Sequence, residues 1–172
     1  MADEAPAQRA DAAIAAHAAI VRLRGEDALH VALNMREVDR LEISATRWSE
    51  SPWDFAVDAS QFPGASWSAL LDGEPVAIGG IALLQPGIGQ AWMVGTDKLP
   101  QVGLMLTRFC RDVAHRMLTE DSGIHRIQAF SAGFHTEAHA WLRAVGLDST
   151  QPLLKYGKGG EDFLLFYGLR KD

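Results

Sequence analysis

The stretch IHRIQAFSAGFHTEAHAWLRAVGL, from Ile124 to Leu147, constrains the fold more than any other part of this chain. It opens with apolar residues in near-alternation (Ile124, Ile127, Ala129, Phe130), the pattern of a strand. A short polar break follows, then an amphipathic helical pattern that stops at Gly146. Upstream, LLDGEPVAIGGIALL reads as two strands, over 66–71 and 75–84, joined by the two-residue turn Asp72-Gly73. A third strand over 89–95 ends in AWMVGTD. Between it and Ile124, a stripe of Val102, Met105, Leu106, Phe109, Cys110, Val113 and Met117 predicts a helix over 101–119.

The flanks complete the order. Residues 19–23 read as a strand broken by Gly25. Asp27 is placed to cap a helical pattern over 28–45, as one kinked helix or two. Ser51 and Pro52 start a short helix that ends before Pro63. Two last strands are expected over 153–156 and 162–169, split by Gly157, Gly159 and Gly160. Residues 1–17 read as a flexible Ala-rich tail, with helix or disorder both open over 11–19, and 18–172 as one domain. Strands alternating with helices imply an α/β (α+β) fold with a mixed sheet covered on both faces.

Charge and composition exclude some functions. A formal charge of −6 argues against a general nucleic-acid surface, which needs clustered Lys and Arg. No apolar run is long enough to span a bilayer, and the N-terminus lacks the basic start and apolar core of a signal peptide. The single cysteine, Cys110, falls in an apolar helical stripe and reads as a buried small hydrophobe. His135 and His139 are four apart and share a helix face, but HTEAH is not the His-Glu-x-x-His pattern. They read as exposed histidines, and no metal is expected. Of Trp48, Trp53, Trp67 and Trp92, most suit a core and one or two an exposed interface.

The segments EDALHVALNMREVDRLEISA, DGEPVAIGGI, AWMVGTD, AHAWLRAVGL and YGKGGEDFLLF, in that order, resemble the GNAT acyltransferases. Their wording resembles the GNAT-like proteins of short-tailed phages of the internal virion protein A type. The resemblance covers residues 20–169. It implies a mixed, mostly antiparallel sheet of roughly six to seven strands with helices on both faces. It also implies an acetyl-CoA cleft between two splayed strands. Backbone groups of Met93, Val94 and Gly95 would bind the acyl and pantetheine amides. The pyrophosphate would lie at the next helix N-terminus, near Gln101, Val102 and Gly103. His135 stands where the family often has a CoA-side Asn.

The chain departs from the family pattern at three points. The usual Arg/Gln-x-x-Gly-x-Gly/Ala loop is here Leu99-Pro100-Gln101-Val102-Gly103-Leu104-Met105. In that loop Pro100 opens a helix and Gly103 either meets a phosphate or permits close helix packing. Trp141 stands at the usual place of the acid Tyr, and an indole N–H is a poor proton donor. Asp97 is the carboxylate nearest the cleft strand, as base or as turn residue. Arg36, Asp39, Arg40 and Glu42 read as a solvated helix face, with Arg36 and Arg40 also able to line the substrate side. The resemblance thus points to a phage protein of the virion or host cytoplasm, with weak or no acetyltransferase activity. Its partners would be other phage structural proteins or a second copy through the FLLFYGL edge. The alternative is an active N-acetyltransferase acting on an amine.

Overall fold

A computed structural model describes residues 17–62, 64–119 and 121–171. The expectations for the tail fall on residues outside that set, apart from His17. Its backbone is tied to Asp72, donating to the carboxylate at 2.7 Å and accepting from the Asp72 amide.

Strand β1 (Ala18–Arg22) is followed by helices α1 (Gly25–Leu33), α2 (Glu37–Ala45) and α3 (Pro52–Gln61). Three strands come next: β2 (Gly64–Leu71), β3 (Glu74–Gln85) and β4 (Ile88–Gly95). A 3-10 turn, Leu99–Val102, runs into α4 (Gly103–Thr119), and β5 (Arg126–Ala132) and α5 (Thr136–Ala144) follow. The chain closes with β6 (Ser149–Leu153) and β7 (Phe163–Leu169). The elements form a seven-stranded sheet in the order β1-β2-β3-β4-β5-β7-β6. Its pairs are antiparallel except β4 with β5.

Local chemistry accounts for most boundaries. Asp72 and Gly73 both have positive φ, at 50° and 84°, which matches the turn to the strand twist. The Ser51 hydroxyl accepts from the Asp54 amide at 3.4 Å, with Pro52 as the first helical residue. Asp27, by contrast, is not a cap. Helix α1 begins two residues earlier, and Asp27 sits in its first turn, 1% exposed. There it accepts from Ser68 Oγ on β2 at 2.8 Å and from Arg24 at 2.9 Å. A carboxylate at that place also complements the helix dipole.

Side chains alternate across the sheet, so each face has its own core. Ile78 and Val94 meet Ala28, Val31 and Phe55 of α1 and α3. Trp67, Ile81, Ile127 and Phe166 meet Cys110, Ala114 and Leu142 of α4 and α5. Helix α2 lies across the ends of β5 and β7, with Ala45 against Ala132 and Phe163.

Two expectations for the C-terminus need correction. The penultimate strand is Ser149–Leu153, earlier in the chain than expected, and Lys155 lies in a turn with φ 53°. Pro152 within STQPL argues against a central strand, but an edge strand tolerates it. FLLFYGL is not an edge: β7 pairs with β5 on one side and β6 on the other. Its apolar residues on both faces mark an interior strand. Among the described residues, no helix is long and apolar enough to cross a membrane.

Candidate functional site

Strands β4 and β5 pair only at Ile88, Gly89 and Gln90 against Arg126, Ile127 and Gln128. Beyond that point β4 stays with β3 up to Gly95, and β5 stays with β7 up to Ala132. The two strands therefore diverge and leave a wedge. The Gly95 amide donates to Asp39 Oδ2 at 2.8 Å, so this residue's backbone faces away from β3. By strand alternation, Met93 also presents its N–H and C=O to the wedge. Ala132 N–H, on the other rim, donates to Glu42 Oε2 at 3.2 Å, and Phe130 faces the wedge by the same alternation.

A cleft of about 390 Å³ passes through this wedge from α2 on one side to α4 and α5 on the other. Its α2 mouth carries a charged cluster. Arg36, Asp39 and Glu42 are three apart and share one helix face. Asp39, 3% exposed, pairs with Arg36 Nε at 2.8 Å. His135 Nδ1 is 2.6 Å from Glu42 Oε2, and its Nε2 lies 3.5 Å from Arg36 and 3.6 Å from Asp39. Glu42 also accepts from Ser131 Oγ, and Arg36 reaches Glu137 at 3.3 Å. The two α2 carboxylates thus cap the outer backbone amides of the splayed strands, with His135 held between them. Met93 and Phe130 lie one step further in along the same two rims.

Met93 and Gly103 line the cleft, whereas the Val94 side chain belongs to the core under α1 and α3. Gln101 is exposed and Val102 is buried in the core, so neither side chain enters the cleft. A Cβ on Gly103 would meet nothing within 4 Å, so it is not a glycine kept for close helix packing. The 3-10 turn spends amides that would otherwise face an anion: Leu99, Gln101 and Gly103 donate to Thr96, Lys98 and Pro100. Lys98, the residue that opens this turn, is paired with Glu74 at 2.5 Å. That bond holds the Glu74 carboxyl below its ordinary range.

Asp97 is exposed in the turn after β4 and lies outside the cleft. Trp141 lines the cleft, but its indole N–H donates to Thr107 Oγ1 at 3.0 Å. The histidines are buried, contrary to the sequence expectation, at 5% for His135 and 8% for His139. His139 Nε2 bonds the Ala132 carbonyl at 2.9 Å. Cys110 lines the cleft as a buried thiol, and desolvation pushes its pKa up to about 12. Of the α2 charges, Arg36 turns inward while Arg40 pairs with Glu37 on the exposed side. Tyr156, stacked on Phe130 with ring centres 5.3 Å apart, also borders the cleft. The three-residue spacing of Arg36, Asp39 and Glu42 is the signal that could have marked the mouth. It looks like a solvated face because those positions carry charge where an apolar stripe is expected.

No family model matches the sequence, and no curated protein matches it. Solved structures do match. The ribosomal-protein-S5-alanine acetyltransferase from Vibrio fischeri superposes with a TM-score of 0.66 at 14% identity, covering 91% of this chain and 94% of that one. A GNAT-family acetyltransferase from Bacillus anthracis gives 0.65 at 13% identity, covering 90% and 96%. RimL, a ribosomal L7/L12 alpha-N-protein acetyltransferase in complex with coenzyme A, gives 0.64 at 9% identity, covering 88% and 93%. The splayed β4 and β5, the seven-stranded mixed sheet and these superpositions together show that the chain has the fold of the GNAT acetyltransferases.

Proposed function

We propose that the protein binds a CoA thioester in the wedge between β4 and β5 and transfers its acyl group, slowly, to an amine. The observation that carries this reading is the parting of β4 from β5 after Gln90 and Gln128, with a cleft running through the gap. When bound, the thioester supplies an activated acyl carbon. The Met93 N–H is placed to donate to a carbonyl oxygen in the gap, the kind of fixed dipole that stabilises developing charge. Pro100, Gly103 and Ala138 border the path for the pantetheine arm.

An amine acceptor must give up a proton. His135 is the cleft imidazole we assign to take it: Glu42 fixes its Nδ1 side at 2.6 Å, and its Nε2, 3.5 Å from Arg36, receives the proton once that guanidinium gives way to the acceptor. This role replaces the one read for Asp97, which stands outside the cleft. Asp39, Glu42 and Glu137 outnumber Arg36 at the mouth, which favours a cationic acceptor. Trp141 is no general acid, since an indole N–H is too weak an acid and this one points to Thr107. The 3-10 turn leaves little to hold a pyrophosphate. Both features support slow transfer and weak cofactor binding.

Calorimetric titration with CoA and acetyl-CoA tests this reading. Saturable binding that Gly103→Trp abolishes supports it, and no heat at millimolar ligand ends it. A second reading comes from the phage resemblance: a virion-associated or morphogenesis factor whose partners are phage structural proteins or a second copy. The exposed Trp48, on the α2–α3 connection, and Trp53, in the first turn of α3, favour it, because such aromatics suit a protein interface. Mass spectrometry of purified particles that finds no trace of the chain would remove the virion role.

A further inference from the structure

The cleft does not stop at the wedge. It continues beneath the sheet, between β2, β3 and β5 and helices α4 and α5, where Cys110, Val113, Ala114, Val145 and Leu147 form its wall. Every charged side chain bordering the cleft is at the opposite end, among Arg36, Asp39, Glu42, His135 and Glu137. The space therefore has a polar mouth and an apolar floor. Protein interiors normally close to near-crystalline density, so an apolar recess of this kind is unusual in a core. Small residues open it: Ala91, Ala114 and Ala129 line it where larger side chains would fill it. Trp67 belongs to this inner wall, and the one polar group of its side chain is the indole N–H. It is buried, at 8% residue exposure, and has no hydrogen-bond partner among the described residues. An unpaired buried donor is costly, so this wall is not that of a fully satisfied core.

A two-carbon acyl group has no use for that depth. We infer that the recess receives the hydrocarbon tail of a medium-chain acyl thioester, so that the transferred group is longer than acetyl. This inference rests on the thioester reading of the wedge. The tail would thread the gap, leaving its thioester beside Met93 and its methylenes against α4 and α5.

The test is a calorimetric series on the unaltered protein: acetyl-, butyryl-, hexanoyl- and octanoyl-CoA, with octanoyl-pantetheine as a probe lacking the nucleotide. Each buried methylene tightens binding by roughly fourfold. Octanoyl-CoA is therefore expected to bind on the order of a hundredfold or more tighter than acetyl-CoA, after the cost of ordering the chain. Val113→Phe fills the inner end and is expected to erase that advantage while leaving acetyl-CoA affinity unchanged. The series stands without the variant should Val113→Phe fail to fold. Acetyl-CoA binding with no gain along the series overturns the inference and leaves the thioester reading intact. Octanoyl-pantetheine binding with no affinity for CoA upholds the recess and overturns the CoA reading. No binding by any probe overturns both.

Discussion

Asp39 joins three parts of the molecule. Its carboxylate accepts from the Gly95 amide at the rim of the wedge, pairs with Arg36 at the N-cap of its own helix and faces His135 across the mouth. Removing one member of a buried charged set leaves the others unpaired, which is worth far more than the pair's net contribution. Asp39→Ala is expected to lower the unfolding free energy by about 3 kcal/mol. Asp97→Ala, at an exposed turn, should change it by no more than about 0.5 kcal/mol. Urea unfolding of the two variants checks this, and equal losses would contradict it. Cys110 gives a pH-dependent prediction. Its thiol is raised from 9.0 to about 12 in the folded state. The unfolded chain therefore ionises first, and the contribution of this group is intact below pH 9 and lost as pH rises toward 12. Wild type should lose stability relative to Cys110→Val across that window, with parallel curves below it. Curves that stay parallel above it would contradict the buried-thiol account.

At the scale of elements, turn chemistry and apolar spacing made most of the sheet legible. Asp72-Gly73 predicted a hairpin because few other residue pairs tolerate two positive φ values in succession. Gly73→Ala should cost about 1 kcal/mol, since its φ of 84° is strained for any side chain. Gly103→Ala should cost nothing and gain about 0.5 kcal/mol, because Gly103 is helical with open space at Cβ. Thermal unfolding that ranks the two variants the other way would refute both backbone assignments. The last two strands were harder to read. Pro152 disguised an edge strand, and β7 looked like an edge because sequence order does not reveal that β7 inserts between β5 and β6. Helix α2 hid the mouth for a related reason. Charges on a surface helix are usually solvated, and the three-residue spacing of Arg36, Asp39 and Glu42 marks a shared face without saying that two strand ends lie beneath it.

At the scale of the whole molecule, the divergence of β4 from β5 was legible only through resemblance, because a gap between strands has no residue signature of its own. Its rims are made of backbone amides rather than of side chains that spacing could reveal. Both rims come from distant parts of the chain, and α2 bridges them, so the wedge exists only in the assembled fold. A ligand seated there ties β4 to β5 and stabilises the whole domain, by about 2.7 kcal/mol at a hundredfold excess over its dissociation constant. The most direct measurement is amide hydrogen exchange with and without saturating acetyl-CoA, read along β4 and β5. Protection gathered at Met93 and Phe130, with Gly95 and Ala132 already slow because Asp39 and Glu42 hold them, is the predicted result. Unchanged exchange at Met93 and Phe130 under saturating acetyl-CoA, or protection confined to another face, would contradict a thioester site in the wedge.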